Sequence, residues 1–428
     1  MDQRPSATPE HGSTSEHGAC EQPADTAASR HHSGKARLDG LDLARWIAIS
    51  GMLIVHFWVP FLQPNSPTNL LIQEYFWGRS TLLFTFLAGV SLALLSGGRT
   101  PHQGRQHHLS AGRIAVRGAA LLVVGLALNA IVVPTGAGLT VIIAYYGLYF
   151  LLAVPFLRMS AGWLTGCAIV TVLVGPQLLF VLRRSSETGG VMAEIALTWN
   201  QFDPGQVLAE QGLLELTVFG FYPALAAMAA VLAGLAVGRL DLRSPEVRVK
   251  LMLLGGALAF VAYRISWHAW DTYGLSWQVG AYEKLLGPVP VDDARWLWTS
   301  MPHTSTTLET VGGIGVALIV LPACLFLAER FPRPLAPFTA AGALGLTIYV
   351  THALVMAWEE LVPDQMGGAL GWLVGNLAEV FFAVAILGAF LWRRHIGRGP
   401  LEAGVSTLSN TVVPREVAQA DAAADSGR

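Results

Sequence analysis

Charged residues are scarce in this sequence. Only 13% of its 428 residues are Asp, Glu, Lys or Arg, whereas a soluble globular domain carries about 25%. Hydrophobic residues make up 53% of the chain, and the mean hydropathy is +0.49. The apolar residues come in long blocks and do not alternate with polar ones. This composition excludes an ordinary soluble domain and predicts an all-α, polytopic integral membrane protein.

Cysteine is also scarce, and this limits the kinds of site that the chain can contain. Cys20, Cys167 and Cys324 lie far apart, and two of them lie inside apolar blocks. No disulfide framework and no metal-ligand spacing follows from such positions. The net charge of −2 says little about partners, because the location of charge matters more than its sum in a membrane protein. We expect neither a bound metal nor a nucleic-acid partner. The partner that the composition does predict is the lipid bilayer.

Ten apolar segments divide the chain into predicted membrane spans. Each is close to the roughly 20 residues that a helix needs to cross the hydrocarbon layer. Residues 1–38 and 404–428 have no such pattern and are predicted to be disordered cytoplasmic tails around a transmembrane domain at 39–403. The predicted spans are 42–62, 80–97, 114–133, 139–157, 160–182, 215–237, 250–266, 307–328, 336–357 and 369–392.

Basic residues set the predicted orientation of these spans. With both termini in the cytoplasm, most Lys and Arg side chains lie on the inner side, as the positive-inside rule requires. The basic residues left outside are Arg79, Arg183, Arg184, Lys284 and Arg295. We therefore predict a multi-pass protein of the cell (plasma) membrane with both termini cytoplasmic.

The first predicted span carries a polar stripe. Arg45 and His56 differ by eleven positions, which at about 100° per residue is close to three full turns, so both point the same way about 16 Å apart. Asp42 and Met52 lie near the same stripe. An ionisable group near the bilayer centre costs about 2.5–3.5 kcal/mol. We expect the stripe to face other protein or a water-filled cavity.

Further polar residues fall at the same predicted depth as His56, in the outer half of the membrane. They come from separate spans, and whether they meet in space does not follow from the sequence. They are Arg79 at the outer start of span two, Tyr222 in span six, His303 and Glu309 at the mouth of span eight, and His352 with Tyr349 in span nine.

Histidine and arginine suggest a chemistry for these positions. A histidine with a pKa near 6.5 can take a proton from a hydroxyl or amine and return it. Arginines can hold a phosphate-bearing donor through paired hydrogen bonds. Structural interpretations stay open: His56 could bridge helices, Arg79 could be an interfacial anchor, His303 a loop or capping residue, and Arg45 an anchor charge paired with Asp42. The spacing gives no support to a zinc site made from the histidines.

Several motifs connect the sequence to a known group of proteins. The segment Arg37–Arg45, with ten residues between Arg45 and His56, resembles the first span of the transmembrane acyltransferase superfamily, and this Arg-x10-His spacing is typical of family-three membrane acyltransferases. The segment from Gly78 onward resembles bacterial relatives of heparan-alpha-glucosaminide N-acetyltransferase and YeiB-type membrane proteins. Further matching segments are Gly220–Pro223, Gly238–Leu242, Pro302–His303, Gly345–His352 and Gly399–Glu402.

The resemblance implies that residues 39–403 form an acyltransferase-like domain, a transferase that moves an acyl group, acetyl by the resemblance, across the membrane. Acyl-CoA (acetyl-CoA) would be the cytoplasmic donor, and a glycan or lipid-linked acceptor would react at the outer face. Arg45 and Asp42 would contact the donor, and His56 would be the general base. We expect His303 and His352 to complete a catalytic set, and Arg79, Tyr222 and Glu309 to contact substrate.

This sequence also departs from the heparan enzyme, which has asparagine where His56 stands and uses a histidine beyond the span. No matching histidine follows His56, so we expect a bacterial glycan or lipid as acceptor rather than heparan. Two other functions stay open. One is a transporter or exporter of a small or lipid-linked molecule with the same residues along its path, and the other is a scaffold or sensor without catalysis. The chain could also form a homodimer.

Overall fold

The computed structural model describes residues 38–59, 66–275, 287–362 and 367–414. These residues form helices and connecting segments without a β-strand, which confirms the all-α prediction. The predicted tail at 1–38 lies outside the described residues except for Leu38. The second predicted tail, from 404 on, is described only as far as 414.

The helices, in chain order, are α1 Asp39–Trp58, α2 Pro67–Tyr75, α3 Arg79–Leu95, α4 Gly104–Val132, α5 Ile143–Ala153, α6 Ala161–Glu187, α7 Val191–Asn200, α8 Pro204–Ala209, α9 Ala224–Val237, α10 Pro245–Thr272, α11 Thr307–Arg330, α12 Ala336–Ala343, α13 Gly345–Leu361, α14 Gly368–Gly375, α15 Leu377–His395 and α16 Pro400–Val412. Short 3₁₀ turns follow α4 and α5, and a π-helical turn covers Glu215–Phe219.

Within the described residues, six helices are long and apolar enough to cross a membrane. The pairs α12–α13 and α14–α15 bend by 76° and 79° and raise the number to as many as eight if each pair is one span. The predicted count of ten is therefore not confirmed. Two predicted spans contain only shorter apolar helices, Ile143–Phe156 and Ala224–Val237. At about 1.5 Å per residue, each is about 21 Å long, shorter than the roughly 30 Å hydrocarbon layer.

Helix α1 lies at the centre of the bundle, in contact with α3, α11 and α12. Small residues permit the close approach. A side chain at Gly342 of α12 would collide with the Asp42 carbonyl oxygen, and one at Gly40 of α1 would collide with the backbone of Leu325 in α11. Helices in a membrane associate mainly through such close packing, because lipid tails are as apolar as the core. The stripe of α1 therefore faces protein, as expected.

Helix α16 is anchored on the beginning of α13. Glu402 Oε1 accepts hydrogen bonds from the backbone N–H groups of Leu346 and Thr347 at 2.8 and 3.1 Å. Its Oε2 accepts a third from the Thr347 hydroxyl at 2.6 Å. A carboxylate at a helix N-terminus satisfies N–H groups that have no partner within the helix. Helix α16 continues from there to Val412, past residue 403, where the sequence analysis ended the folded domain.

A candidate active site where helices break

A cavity of about 300 Å³ lies at the end of the bundle where α1 ends. Its walls come from α1, α3, α13, the loop at His303 and three irregular stretches of chain, at 76–78, 137–142 and 221–222. Non-helical backbone is tolerated at membrane depth only where it is buried in protein or lines a cavity. The polar side chains in the wall are His56, Thr81, Tyr222, His303 and Tyr349, with Thr140 in the loop. Most of the remaining wall is apolar.

Two of the predicted histidines meet directly. His56 Nδ1 lies 3.0 Å from His352 Nε2, and the rings are nearly parallel, 5° apart, with centroids 5.2 Å from each other. A nitrogen–nitrogen contact this short between parallel rings describes an edge-to-edge hydrogen bond rather than a face-to-face stack. Helix α1 and helix α13, far apart in sequence, are thus joined through two imidazoles.

The partners of His352 fix the tautomers of both neutral rings. Its Nδ1 lies 2.6 Å from the Tyr349 carbonyl oxygen, which can only accept, so Nδ1 carries the proton and Nε2 is an acceptor. His56 Nδ1 must then donate to His352. The lone pair of neutral His56 is left on Nε2, and a base needs such a lone pair. His352, fully buried in the bundle, orients His56 as the second member of this chain.

His303 approaches the same cavity from the loop before α11, in a left-handed backbone conformation with φ of +63°. Its N–H donates to Glu309 Oε1 at 2.6 Å, while Glu309 Oε2 accepts from the Ser305 N–H at 2.6 Å and from the Thr304 hydroxyl at 3.2 Å. Thr306 in turn accepts from the Glu309 N–H at 3.1 Å, so the first turn of α11 is an extended capping box. Glu309 holds the loop that presents His303.

The His303 ring packs edge-on against Tyr222 at 5.2 Å between centroids and lies 6.0 Å from Phe221. Burial, together with the nearby His56, lowers the pKa of His303 to about 4. The ring is therefore neutral at pH 7 and offers one N–H donor and one lone pair.

Tyr222 lies in the cavity wall because two buried residues hold its backbone. The Tyr149 hydroxyl donates to the Tyr222 carbonyl at 2.5 Å, and Arg183 donates to the Gly220 carbonyl at 3.1 Å and the Val218 carbonyl at 2.8 Å. This role of Arg183 was not predicted from the sequence, where it counts only as a basic residue on the outer side; the side chain is 5% exposed. The Gly-Phe-Tyr-Pro break was the available signal, since its freed carbonyls need donors.

Two of the predicted substrate contacts do not line the cavity in the described part of the chain. Arg79 lies over the Tyr263 ring at 4.8 Å and 3.9 Å from Glu74, behind the cavity wall. Both carboxylate oxygens of Glu309 accept hydrogen bonds from the loop that precedes it. Of the three residues predicted to contact substrate, Tyr222 alone is in the wall. The geometry gives Arg79 and Glu309 a supporting position instead, because both stand beside residues that form the wall.

Arg45 and Asp42 lie at the opposite end of α1. Arg45 donates to Asp42 and to Ser91 of α3, both at 2.6 Å, and Arg393 lies 3.9 Å from Asp42. Ile49, one helical turn beyond Arg45 on α1, is fully buried. Among the described residues that line the cavity at His56, neither Arg45 nor Asp42 is present.

Metal binding finds no ready site in the described ranges: no group of three or more His, Cys, Asp or Glu side chains there lies close enough together to hold an ion.

Two known families match the sequence of this chain. The sequence model of the family described as "Heparan-alpha-glucosaminide N-acetyltransferase, catalytic" matches residues 37–269, more than half of the chain. The chain belongs to this family. A second family, described as "Protein of unknown function (DUF418)", matches residues 284–409. A search of curated proteins gives no match.

The family membership makes this protein an N-acetyltransferase-like membrane enzyme. It also confirms the resemblance found in the motifs of the sequence. Both matched regions contribute to the cavity: His56 and Tyr222 lie in the first, and His303 and Tyr349 lie in the second. The hydrogen bond between His56 and His352 therefore joins the two regions, and neither region holds the pair alone.

Proposed function

We propose that the protein transfers an acetyl group from acetyl-CoA to a hydroxyl or amine of a glycan or lipid-linked acceptor, with His56 as the general base. The observation that carries this proposal is the chain of hydrogen bonds from His56 through His352 to the Tyr349 carbonyl. These bonds leave the Nε2 lone pair of His56 to accept a proton from the substrate. His56 lies in the cavity wall, and a general base must be within hydrogen-bond reach of the proton that it removes.

The reaction would proceed by direct transfer. His56 Nε2 takes the proton of the acceptor hydroxyl or amine while the acceptor oxygen or nitrogen attacks the thioester carbonyl carbon. The tetrahedral intermediate then expels the CoA sulfur, which takes the proton back from His56, so that ester or amide and free thiol are the products. The positive charge that His56 carries in between is stabilised by His352, since a hydrogen bond to an ionised group is roughly twice as strong as a neutral one.

The negative oxygen of the intermediate needs donors of its own. Tyr222 and the neutral His303 ring are in contact and both line the cavity, together with Thr81. Pre-positioned donors of this kind typically account for 10²–10³ in kcat each. We assign the oxyanion to this pair, with His303 held in place by Glu309.

The proposed direction runs from cytoplasmic donor to outer acceptor, with the protein in the plasma membrane and both termini inside. The distribution of basic residues supports it. A donor that enters beside Arg45 would have to pass the buried Ile49. The bent pair α12–α13 packs on this part of α1 through Gly342 and Gly345, so we infer that passage requires this pair to move away from α1.

A transporter or exporter of a small or lipid-linked molecule is the second candidate. The two bent helix pairs favour it, because substrate sites of many transporters are built at discontinuous helices. A flux assay in proteoliposomes separates the two functions. Transport of acceptor without any acyl donor favours the transporter, whereas transfer of label from donor to acceptor requires the enzyme.

The test of the enzyme uses the full chain in lipid nanodiscs with radiolabelled acetyl-CoA. Hydrolysis or transfer of the label by the wild type and its loss by about 10²-fold or more in His56→Gln is the expected result. His268→Gln, an exposed histidine on α10, is the matched control and should keep wild-type activity. A His56→Gln variant with wild-type turnover would overturn the proposal, as would a wild type that does not bind acetyl-CoA.

A further inference from the structure

A second cavity, of about 350 Å³, lies at the other end of the bundle, where α3 ends and α4 begins. Its walls include Leu95 of α3 and the first turns of α4 up to Arg117. The candidate active site borders the loop beyond the far end of α4. From Arg117 to Val132 the helix rises about 22 Å. The two cavities are therefore separate and lie near opposite ends of the bundle.

The second cavity is lined by basic and neutral polar side chains. Arg113 and Arg117 stand one helical turn apart, on the same face of α4, and His102 and Gln106 complete the polar wall. None of the described residues that line it carries a carboxylate. Guanidinium groups bind phosphate through pairs of parallel N–H donors, a geometry that lysine does not offer.

The arginines are held in position by helix α16. Arg113 donates to the Val413 and Pro414 carbonyls, both at 3.0 Å, and Arg117 donates to the Ser409 hydroxyl at 3.2 Å. A guanidinium has five N–H donors in a fixed plane, so these hydrogen bonds orient the whole group. These contacts place the two side chains along one wall before any ligand arrives.

The beginning of α4 adds partial positive charge to the same place. Its N-cap residue, Gln103, makes no side-chain capping bond, and Gln106 lies in the first helical turn and also in the cavity wall. The N–H groups of a first turn point out of the helix and attract anions. Arg158 stands beside this turn, 3.4 Å from Gln103. The partial positive charge at this helix end therefore favours an anionic ligand, as the arginines in the cavity wall do.

We propose that this second cavity binds a phosphate-bearing ligand. Two sources carry the required chemistry: the phosphates of a soluble nucleotide-like acyl carrier, or the headgroup of an anionic lipid. The first source rests on the proposed function, since the phosphates of acetyl-CoA would then be held here while the thioester arm reaches toward His56. The second source is independent of that function.

Binding measurements on the purified full chain in nanodiscs test the proposal. The probe for the first source is CoA, measured by calorimetry in phosphatidylcholine nanodiscs. The probe for the second source is the rise in thermal unfolding temperature when phosphatidylglycerol replaces phosphatidylcholine. Arg113→Gln/Arg117→Gln should weaken CoA binding about tenfold or more, or abolish the phosphatidylglycerol effect if the ligand is a lipid. Arg333→Gln, an exposed arginine elsewhere, is the control and should change neither.

A second variant guards against damage to the packing of α16. Gln106→Glu places a negative charge in the cavity wall, leaves both arginines intact and suits the first turn of a helix, where a carboxylate is favourable. This variant should fold normally and still weaken the binding of CoA or the effect of phosphatidylglycerol. Wild-type response to both probes in Gln106→Glu and in the double variant would overturn the proposal.

These outcomes are distinguishable from failure of the proposed function. His56→Gln should retain CoA binding, because His56 lies in the other cavity. Arginine-dependent CoA binding without any acyl transfer would contradict the enzyme and leave this inference standing. If the double variant transfers acyl groups with an unchanged KM for acetyl-CoA and shows no change in the lipid effect, the enzyme stands and this inference is contradicted.

Discussion

The hydrogen bond between His56 and His352 gives the sharpest test of the proposed mechanism. His352→Phe removes the acceptor of this bond and keeps an aromatic ring of similar size beside Phe57 and Tyr349, which both pack on His352. His352→Gln replaces the ring but keeps a side-chain carbonyl that can accept from His56 Nδ1. The two variants differ in the acceptor, which is the group under test.

The expected magnitude follows from the change in that bond during reaction. With His56 neutral, the bond contributes about 1 kcal/mol, and with His56 protonated about 1.5–3 kcal/mol. The difference, about 0.5–2 kcal/mol, is lost only in the transition state and corresponds to a fall in kcat of roughly 2- to 30-fold. His352→Gln should retain more activity than His352→Phe. Both should remain more active than His56→Gln, because they keep the base itself.

Initial rates of acetyl transfer or acetyl-CoA hydrolysis in nanodiscs measure this, with kcat and KM determined separately and the thermal unfolding temperature recorded for each variant. His268→Phe is the control for a new aromatic ring on an exposed surface. Wild-type kcat in His352→Phe would refute the reasoning. So would a stable His352→Phe as inactive as His56→Gln, because His352 would then take part in proton transfer itself rather than orient His56.

Three further predictions concern the support of the site. Glu309→Ala should lower the free energy of unfolding by about 3 kcal/mol, since it leaves buried donors of the His303 loop without an acceptor, and it should also reduce kcat. The control is Glu246→Ala at an exposed position, which should change neither quantity in thermal unfolding and activity assays. The pKa of His303 is about 4 in the folded protein and 6.5 ordinarily, so between these values the unfolded chain binds a proton that the folded ring does not. The contribution of His303 to stability should therefore be full above pH 6.5 and fall toward pH 4, and the unfolding temperature of His303→Gln should depend less on pH than that of the wild type. Gly234→Ala should lower the unfolding temperature because its new methyl group collides with the Phe86 carbonyl across the α3–α9 contact, whereas Gly256→Ala, where the methyl group meets open space, should preserve or raise it.

The sequence was enough to predict the class of fold and to place three histidines at one depth, but not to show which of them pair. Long apolar blocks predict membrane helices, and the rise per residue placed His56, His303 and His352 at one depth. Helical phase gives the direction of a side chain around its own axis. Which helices face each other is decided by packing, here by glycines at points such as Gly342, so the His56–His352 contact required the structure.

The number of spans was not confirmed for a different reason. The breaks at 137–142 and 220–223 are themselves largely apolar, and hydropathy does not distinguish an extended apolar segment from a helical one. Glu309 had a signal that was overlooked. Thr306-x-x-Glu309 at the start of an apolar run is the pattern of a capping box, which predicts a carboxylate bound to its own backbone rather than to substrate.

The cavity and the breaks in the helices have one common cause. Each break frees backbone groups that bilayer lipid cannot satisfy, and buried side chains satisfy them: Tyr149 at the Tyr222 carbonyl, Arg183 at the Gly220 carbonyl, Tyr349 at the Ile142 N–H, and Glu309 at the His303 N–H. Substitution of any of these four supporting residues therefore changes the fold and the site together. His56 differs from them, because the bond that the structure shows for it goes to another side chain. Loss of activity without loss of stability is accordingly expected at His56, and that combination is the signature of a residue retained for chemistry.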